Sequence, residues 1–198
     1  MAYNKFTMAQ LRKEFGLEIT EQSALFADVS SATISDLLRQ VLARQTATAL
    51  RSGSEKARSE YLIAPILMEV YEQSRDRANL FSGVEFNVDK KRGLSGFCDF
   101  LLTLAPRTIE ILAPVISVVE AKKEDIPKGI PQCFAELVAA QIFNAKAERS
   151  IGTLYGIITT GEIWKFLRLQ GTEAMIDTDD YFLNEPEKIV GIILSMLR

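Results

Sequence analysis

The sequence predicts a single domain of the α/β or α+β class with a helical extension at its N-terminus. Its length of 198 residues suits one sizeable core. Strand patterns bounded by glycine and proline are interspersed with helical patterns after residue 53, whereas only helical patterns precede it. We therefore expect a helical extension over residues 1–53, which packs on a core domain over residues 54–198.

Two helices are predicted in the extension. Thr7 followed by Gln10 is a capping-box pattern, so a short helix is expected over residues 8–15. A segment rich in Ala, Leu and Gln predicts a longer helix over residues 32–51, which ends at a Ser-Gly-Ser turn.

The core opens with a helix from Ser54 that carries an apolar stripe and one unusual acid. Glu60 precedes Ile63 and Leu67 by three and seven residues, which places it on the same face as the stripe. Pro65 lacks a backbone N–H, so it should kink the helix one turn after Glu60 and aim its carboxylate. Alternatively, Glu60 is a first-turn acid that interacts favourably with the helix dipole.

Five strands and two further helices complete the predicted core. The strands are expected over residues 81–89, 94–104, 115–122, 153–160 and 163–169, and the helices are expected to start at Pro131 and near Pro186. The first two strands form a hairpin through a basic turn, Lys-Lys-Arg-Gly. Trp164 and Phe166 alternate on one face of the last strand, and core packing is favoured there over base stacking.

The third strand carries the main candidate site. It is apolar on both faces, which is typical of a central, covered strand, and it ends in Glu120-Ala121-Lys122. Residues two apart in a strand point the same way, so Glu120 and Lys122 emerge together. A carboxylate can hold a hard divalent cation, and an ammonium beside it can orient an attacking water. This pair therefore suits metal-assisted attack on a phosphodiester.

Asp99 is the acid of an otherwise apolar strand. If this strand pairs with the Glu120 strand, the two carboxylates can meet at the sheet surface and form a two-acid site for a divalent ion. The alternative is a hairpin-edge aspartate that caps a neighbouring amide.

Composition excludes several kinds of chemistry. The chain has no histidine, so histidine-based triads, histidine-ligated zinc sites and nucleases with a histidine base are excluded. The cysteines, Cys98 and Cys133, lack metal-ligand spacing and are expected to be buried free thiols. A net charge of −3 argues against a large sequence-independent DNA-binding surface. The net charge does not exclude one local DNA-binding groove near the lysines at positions 122, 123 and 128.

The sequence carries no sign of membrane association. No apolar run is long enough to cross a bilayer, and the N-terminus lacks the apolar segment of a signal peptide. A cytoplasmic protein is the expectation.

The order of the candidate residues resembles that of the PD-(D/E)XK nuclease superfamily, which has the restriction-endonuclease-like fold. The shared pattern is Glu60 on a helix, Asp99 on the second strand and Glu120-Ala121-Lys122 on the third, followed by a helix. Residues 132–136, QCFAE, resemble the glutamine-bearing helix of several branches. Residues 159–164, TTGEIW, are similar to the "TNG-x-x-W" hairpin of type I restriction-subunit-like members. Two departures are Cys98, which stands where the family proline precedes the acid, and Thr160, which replaces the asparagine of the hairpin.

The resemblance implies an α/β fold with a restriction-endonuclease-like core, in which a mixed central sheet is flanked by helices. It also implies that Asp99 and Glu120 bind Mg²⁺ or Mn²⁺, with the Ala121 carbonyl as a further ligand. Glu60 would be an additional or water-mediated ligand.

The resemblance also assigns catalytic roles and a substrate. Lys122 would orient or help deprotonate the attacking water and stabilise the pentacovalent phosphate. Gln132 would assist in the site or contact phosphate, unless it is merely a solvated first-turn glutamine. The predicted function is a metal-dependent nuclease with DNA as its partner, and a homodimer is expected if both strands of a duplex are cut. Two alternatives stay open: a catalytically inactive nuclease-fold interaction module, and a plain α/β domain whose acids are structural.

Overall fold

A mixed eight-stranded sheet forms the centre of the protein. The computed structural model describes residues 2–198. The α-helices are α1 (Met8–Phe15), α2 (Asp36–Ser52), α3 (Glu55–Arg58), α4 (Ala64–Ser74), α5 (Ile126–Lys146) and α6 (Pro186–Met196). The strands are β1 (Glu18–Gln22), β2 (Asn79–Glu85), β3 (Phe97–Thr103), β4 (Val115–Ala121), β5 (Leu154–Thr159), β6 (Ile163–Gln170), β7 (Glu173–Asp177) and β8 (Tyr181–Phe182). The strand order is β1-β7-β6-β5-β4-β3-β2, and β8 pairs with β6.

Strand β4 lies inside the sheet, as its apolar sequence predicts. It pairs antiparallel with β3 and parallel with β5, and all of its residues are buried. Helix α5 covers one face of the sheet, while α2, α4 and α6 cover the other. The prediction of a mixed sheet flanked by helices is therefore confirmed.

The N-terminal extension is not helical throughout. The Thr7 capping box starts α1 as predicted. Helix α2 begins later than expected because the Ser35 hydroxyl caps it, accepting from Leu38 N at 3.1 Å. The sequence did not predict β1, whose residues are mostly exposed and therefore lack apolar alternation. This strand pairs parallel with β7, so the extension contributes to the central sheet.

Helix α5 starts before Pro131, contrary to the sequence prediction. The Asp125 carboxylate accepts from Lys128 N at 3.2 Å and so caps the helix at an earlier position. Pro131 therefore lies inside the helix, where its ring removes one backbone donor without ending it.

A π-helical turn lies just before Pro65, where the sequence predicts a kink. Residues Ser59–Ile63 form this turn between α3 and α4, and Ala64 N donates to Ser59 O. A π turn contains an extra residue, so side chains on its N-terminal side rotate away from the stripe that an uninterrupted α-helix would give.

The two edges of the sheet differ in how they are built. Strand β1 presents exposed Glu18 and Glu21 at one edge. At the other edge, β2 contains Gly83 with a φ of 62°, a left-handed conformation within a strand.

Residues close to the N-terminal end of the described chain are part of the core. Tyr3 is 1% exposed and packs near Gly96, and its hydroxyl donates to Phe86 O at 2.6 Å. This N-terminal turn lies against α5.

Several predictions about individual residues are confirmed. Trp164 and Phe166 are fully buried in the core, and Cys98 and Cys133 are buried free thiols. Among residues 2–198, no helix combines the length and the apolar character needed to cross a membrane.

Candidate functional site

The acids of β3 and β4 lie side by side in the sheet. The two strands pair with Phe100 opposite Val119, which places Asp99 across from Glu120. Asp99 Oδ2 also accepts from Ala121 N at 2.8 Å. Asp99 thus shares the sheet surface with Glu120 and at the same time accepts a neighbouring backbone amide.

Lys122 links Glu120 to helix α5. Its ammonium donates to Glu120 Oε1 and, at 3.2 Å, to Gln132 Oε1. The Gln132 amide then donates from Nε2 to Glu136 Oε1 at 3.1 Å. A hydrogen-bonded chain therefore runs through Glu120, Lys122, Gln132 and Glu136, and Gln132 is bonded to protein groups on both sides.

The close approach of α5 to β4 depends on Gly129. A Cβ atom at this position would lie 3.1 Å from Lys122 Cε and 2.9 Å from Ile158 Cγ2. A side chain there would displace the lysine or the helix. The missing side chain lets the first turns of α5 lie against Lys122, which brings Gln132 within hydrogen-bonding distance.

Three acids crowd around this one ammonium. Burial, and then the charge of Asp99, raise the pKa of Glu120 to about 7. Burial also raises the pKa of Asp99, although the Ala121 amide and Lys122 oppose the increase. Glu136 is fully buried, and burial followed by the charge of Glu120 raises its pKa well above the usual value. Burial is the largest cause of all three shifts, and neighbouring acids add to it for Glu120 and Glu136.

The pKa of Lys122 depends on a balance between burial and the neighbouring acids. Burial tends to lower the pKa of its ammonium, but the Glu120 carboxylate outweighs burial through its charge and its hydrogen bond. The net effect raises the pKa of Lys122, so this side chain is positively charged at neutral pH.

Two buried carboxylate oxygens of the cluster have no hydrogen-bond donor within the described chain: Glu120 Oε2 and Glu136 Oε2. An unpaired buried carboxylate oxygen is costly unless a proton or a cation satisfies it. Glu120 Oε2 belongs to the carboxylate that lies opposite Asp99, so these two acids offer hard oxygen ligands of the kind that Mg²⁺ and Mn²⁺ prefer.

The ligand set is small. Residues 2–198 contain no group of three or more His, Cys, Asp or Glu side chains arranged to hold a metal ion. Asp99 and Glu120 supply two acids, so the other ligands would be the Ala121 carbonyl and water. Mg²⁺ commonly keeps several waters and binds through only one or two carboxylates.

The other lysines near the site are neutralised. Lys128 pairs with Asp125 at 2.6 Å, and the more distant contact of Lys123 with Glu124 measures 3.7 Å. Both lysines are largely exposed. With Lys123 and Lys128 paired, the positive charge of a local groove would come from Lys122 and from a bound cation.

Glu60 does not join the cluster, contrary to its expected position. Its carboxylate pairs with Lys56 at 2.8 Å, and its side chain is 52% exposed. The cause is the π turn over Ser59–Ile63, which breaks the helical period used to place Glu60 on the apolar stripe.

Glu55 is the helix acid whose charge reaches the site. It raises the pKa of both Glu120 and Lys122, although it is itself exposed. Its position directly after the Ser54 cap, at the start of α3, was the available sequence signal. Arg58 on the same helix fixes this segment by donating to Thr160 O at 3.0 Å and to Glu162 Oε2 at 2.7 Å.

The β5–β6 hairpin is well bonded despite the departure at Thr160. The Thr160 hydroxyl accepts from Ile163 N at 3.1 Å, and Trp164 Nε1 donates to Gly161 O at 3.2 Å. The threonine thus supplies the acceptor that the turn requires. This hairpin is also the anchor for Arg58, so it helps to position α3.

Glu136 was also missed as part of the cluster. In the sequence, Glu136 is the one acid within the otherwise apolar residues 133–140. In the structure, all of these residues of α5 are buried. A buried glutamate in such a segment needs a polar partner, and here the partner is Gln132.

Comparison with known proteins gives one partial match. No protein-family model matches the chain. The chain is 27% identical over 131 residues to Crinkler effector protein 1 of Rhizophagus irregularis. The match covers 61% of this chain and 26% of the length of that effector protein. The similarity thus concerns one segment of a much longer protein.

Proposed function

We propose that the protein is a divalent-metal-dependent nuclease that hydrolyses phosphodiester bonds in DNA on a restriction-endonuclease-like core. The observation that carries this proposal is the Glu120 carboxylate. One oxygen accepts from Lys122, the other is buried without a donor, and Asp99 lies opposite on the next strand. A cation bound between the two carboxylates would satisfy this oxygen, and carboxylate oxygens are the ligands that hard divalent cations prefer.

In the proposed site, Asp99 and Glu120 hold Mg²⁺ or Mn²⁺ together with the Ala121 carbonyl. When bound, the cation supplies a more acidic water and offsets charge on the phosphate. The chain's contribution is to fix the two carboxylates on adjacent strands of a rigid sheet. Of the two helix acids, Glu55 replaces Glu60 as the candidate for an additional, water-mediated ligand, since its charge adds a small increase to the pKa of Glu120.

Lys122 acts as a charged donor in this proposal. Its raised pKa keeps the ammonium protonated, which favours orienting a water and stabilising phosphate charge over removing a proton. Glu120 and Gln132 hold the ammonium on two sides. An ammonium has three N–H donors, so one remains for water or substrate.

One observation favours the interaction-module alternative. Lys123 and Lys128 are paired with acids, and the net charge is −3, so little positive charge near the site is free to attract DNA. A cation bound between Asp99 and Glu120 would change this balance. The two functions therefore differ first in metal binding.

The test is calorimetric binding of Mg²⁺ and Mn²⁺ together with cleavage of plasmid and single-stranded DNA. We expect the native protein to bind the cations and to cleave DNA, and EDTA to stop cleavage. An Asp99→Ala, Glu120→Ala double variant should lose both properties. An Asp89→Ala, Glu85→Ala double variant, which removes two acids of the neighbouring hairpin, is the control. Metal binding that survives in the site variant, or native protein that cleaves neither DNA form, would favour the interaction module.

A further inference from the structure

Glu136 is an acid buried directly behind the proposed site. Its side chain is 0% exposed and lies one helical turn after Gln132 on α5. Gln132 Nε2 donates to its Oε1 at 3.1 Å, while its Oε2 has no hydrogen-bond partner. An apolar residue of the same size would avoid the cost of burying this carboxyl group. Stability alone therefore does not account for an acid at this position.

The chemistry of the Gln132 amide gives Glu136 a specific role. An amide side chain has an accepting oxygen at one end and a donating NH₂ group at the other. Lys122 can only donate, so Gln132 must turn its oxygen towards Lys122, at 3.2 Å. The NH₂ group then points to the opposite side and needs a buried acceptor, which Glu136 supplies.

We propose that Glu136 is a positioning residue of the proposed nuclease site, which sets the orientation of the Gln132 amide and thereby holds the Lys122 ammonium in place. This inference rests on the proposed function for its catalytic consequence. Its structural part, the fixed amide, does not depend on cleavage.

The orientation of Lys122 is the quantity that Glu136 controls. Glu120 Oε1 and Gln132 Oε1 accept two of the three N–H donors, so the direction of the third is defined. If Gln132 turned its amide around, its NH₂ group would face the ammonium and repel it. Lys122 would then keep only Glu120, and its third N–H would no longer point in one direction.

To position Gln132, the side chain at residue 136 needs an acceptor oxygen but does not need a negative charge. A protonated carboxyl group keeps a carbonyl oxygen that can accept from Gln132 Nε2, and a glutamine side chain offers the same oxygen. Glu136→Gln therefore retains the feature that matters, whereas Glu136→Met keeps the volume and removes every acceptor.

The first test compares Glu136→Met and Glu136→Gln in DNA cleavage with Mg²⁺. We expect Glu136→Met to lower kcat about tenfold or more with little change in KM, and Glu136→Gln to recover most of this loss. Gln132→Ala should lower kcat similarly, and adding Glu136→Met to it should cost nothing further, because both changes remove the same interaction. Gln141→Ala is the matched control, a glutamine of α5 that donates to Gly171 O outside the site. Wild-type kcat in Glu136→Met, or a Glu136→Gln variant as impaired as Glu136→Met, would overturn the proposal.

A second readout separates this inference from the proposed function. Hydrogen exchange of the Gln132 side-chain NH₂ group, followed by NMR without metal or DNA, reports on its bond to Glu136. We expect slow exchange in the native protein and in Glu136→Gln, and fast exchange in Glu136→Met, with the fold retained in all three. Equal exchange in all three would overturn the positioning role. Slow native exchange in a protein that cleaves no DNA would overturn only the nuclease function.

Discussion

Lys122 and Lys165 occupy similar settings in the same sheet, yet their surroundings differ in one respect. The side chains are 20% and 14% exposed, and each pairs with an acid. The Lys165 ammonium also donates to three backbone oxygens, those of Asp177, Thr178 and Asp179, at 3.0–3.2 Å. Its donors are fully used, and it ties down the loop after β7.

Lys122 has fewer acceptors than N–H donors, whereas every N–H donor of Lys165 has an acceptor. It has two side-chain acceptors, and its partner Glu120 keeps an oxygen without a donor. Exposure and ion pairing alone therefore do not distinguish a structural lysine from a functional one. The separation comes from counting the donors and acceptors that remain unused.

Substituting each of the two lysines in turn should give the greatest change. Lys122→Ala should reduce DNA cleavage about 10²–10⁴-fold with the fold retained, because it removes a charged donor from the site. Lys165→Met should leave cleavage by the folded protein unchanged and lower the free energy of unfolding by about 2 kcal/mol, because three carbonyls and Asp180 lose their donor. Cleavage rates and denaturant unfolding of both variants are the measurements. Full cleavage by Lys122→Ala would remove the distinction between the lysines.

A pH effect on stability is expected next in size, and it concerns Glu120. Its pKa is raised from 4.5 to about 7 in the folded protein, so the protonated form stabilises the fold at low pH. This stabilisation is lost as the pH rises through the window between those two values. Without divalent metal, we expect the native protein to lose on the order of 3 kcal/mol relative to Glu120→Gln as the pH rises from below 4.5 to above 7.

Thermal or denaturant unfolding of both proteins across this pH range measures the effect. Added Mg²⁺ should restore the stability of the native protein at alkaline pH and leave that of Glu120→Gln nearly unchanged, because a cation that binds the folded state stabilises it. Parallel pH profiles of the two proteins would show that the Glu120 carboxyl does not titrate as described. Lys165→Met retains Glu120, so it should show the same pH dependence as the native protein at a lower overall stability.

The smallest effect distinguishes the two acids of the first core helix. Glu55→Gln should lower cleavage about fivefold, because an exposed charge near the site contributes on the order of 1 kcal/mol. Glu60→Gln should have no effect, since Glu60 faces solvent and pairs with Lys56. Steady-state rates at low ionic strength check this. A larger loss in Glu60→Gln than in Glu55→Gln would restore the role that the sequence suggests.

The strands with strong apolar patterns could be predicted from the sequence, and so could the central part of the site. Strand β4 is apolar on both faces, which located Glu120 and Lys122 on a covered strand. The sequence left the β3–β4 pairing as a condition for bringing Asp99 to Glu120, and the two strands do pair. Strand β1 was missed because an exposed edge strand has no apolar alternation to detect.

The errors in placing residues have a common physical cause. Each prediction extends a regular helical pattern through a point where the backbone departs from it. The π turn shifts the helix phase between Glu55 and Ile63, so Glu60 was placed on the wrong face. The Asp125 cap starts α5 early, so Pro131 was taken for a helix start. Glu136 was missed because its role depends on the bond to Gln132, which becomes visible only when α5 lies on β4.

The two edges of the sheet limit how the protein can assemble. An open strand edge can pair with a strand of another molecule unless charge or irregular backbone prevents it. Strand β1 carries Glu18 and Glu21 at one edge, and Gly83 interrupts the strand conformation of β2 at the other. Both edges therefore discourage a continuous sheet across two molecules. A dimer that cuts both strands of a duplex would have to join through helices or loops, which leaves the Asp99–Glu120 end of each sheet free to face the DNA.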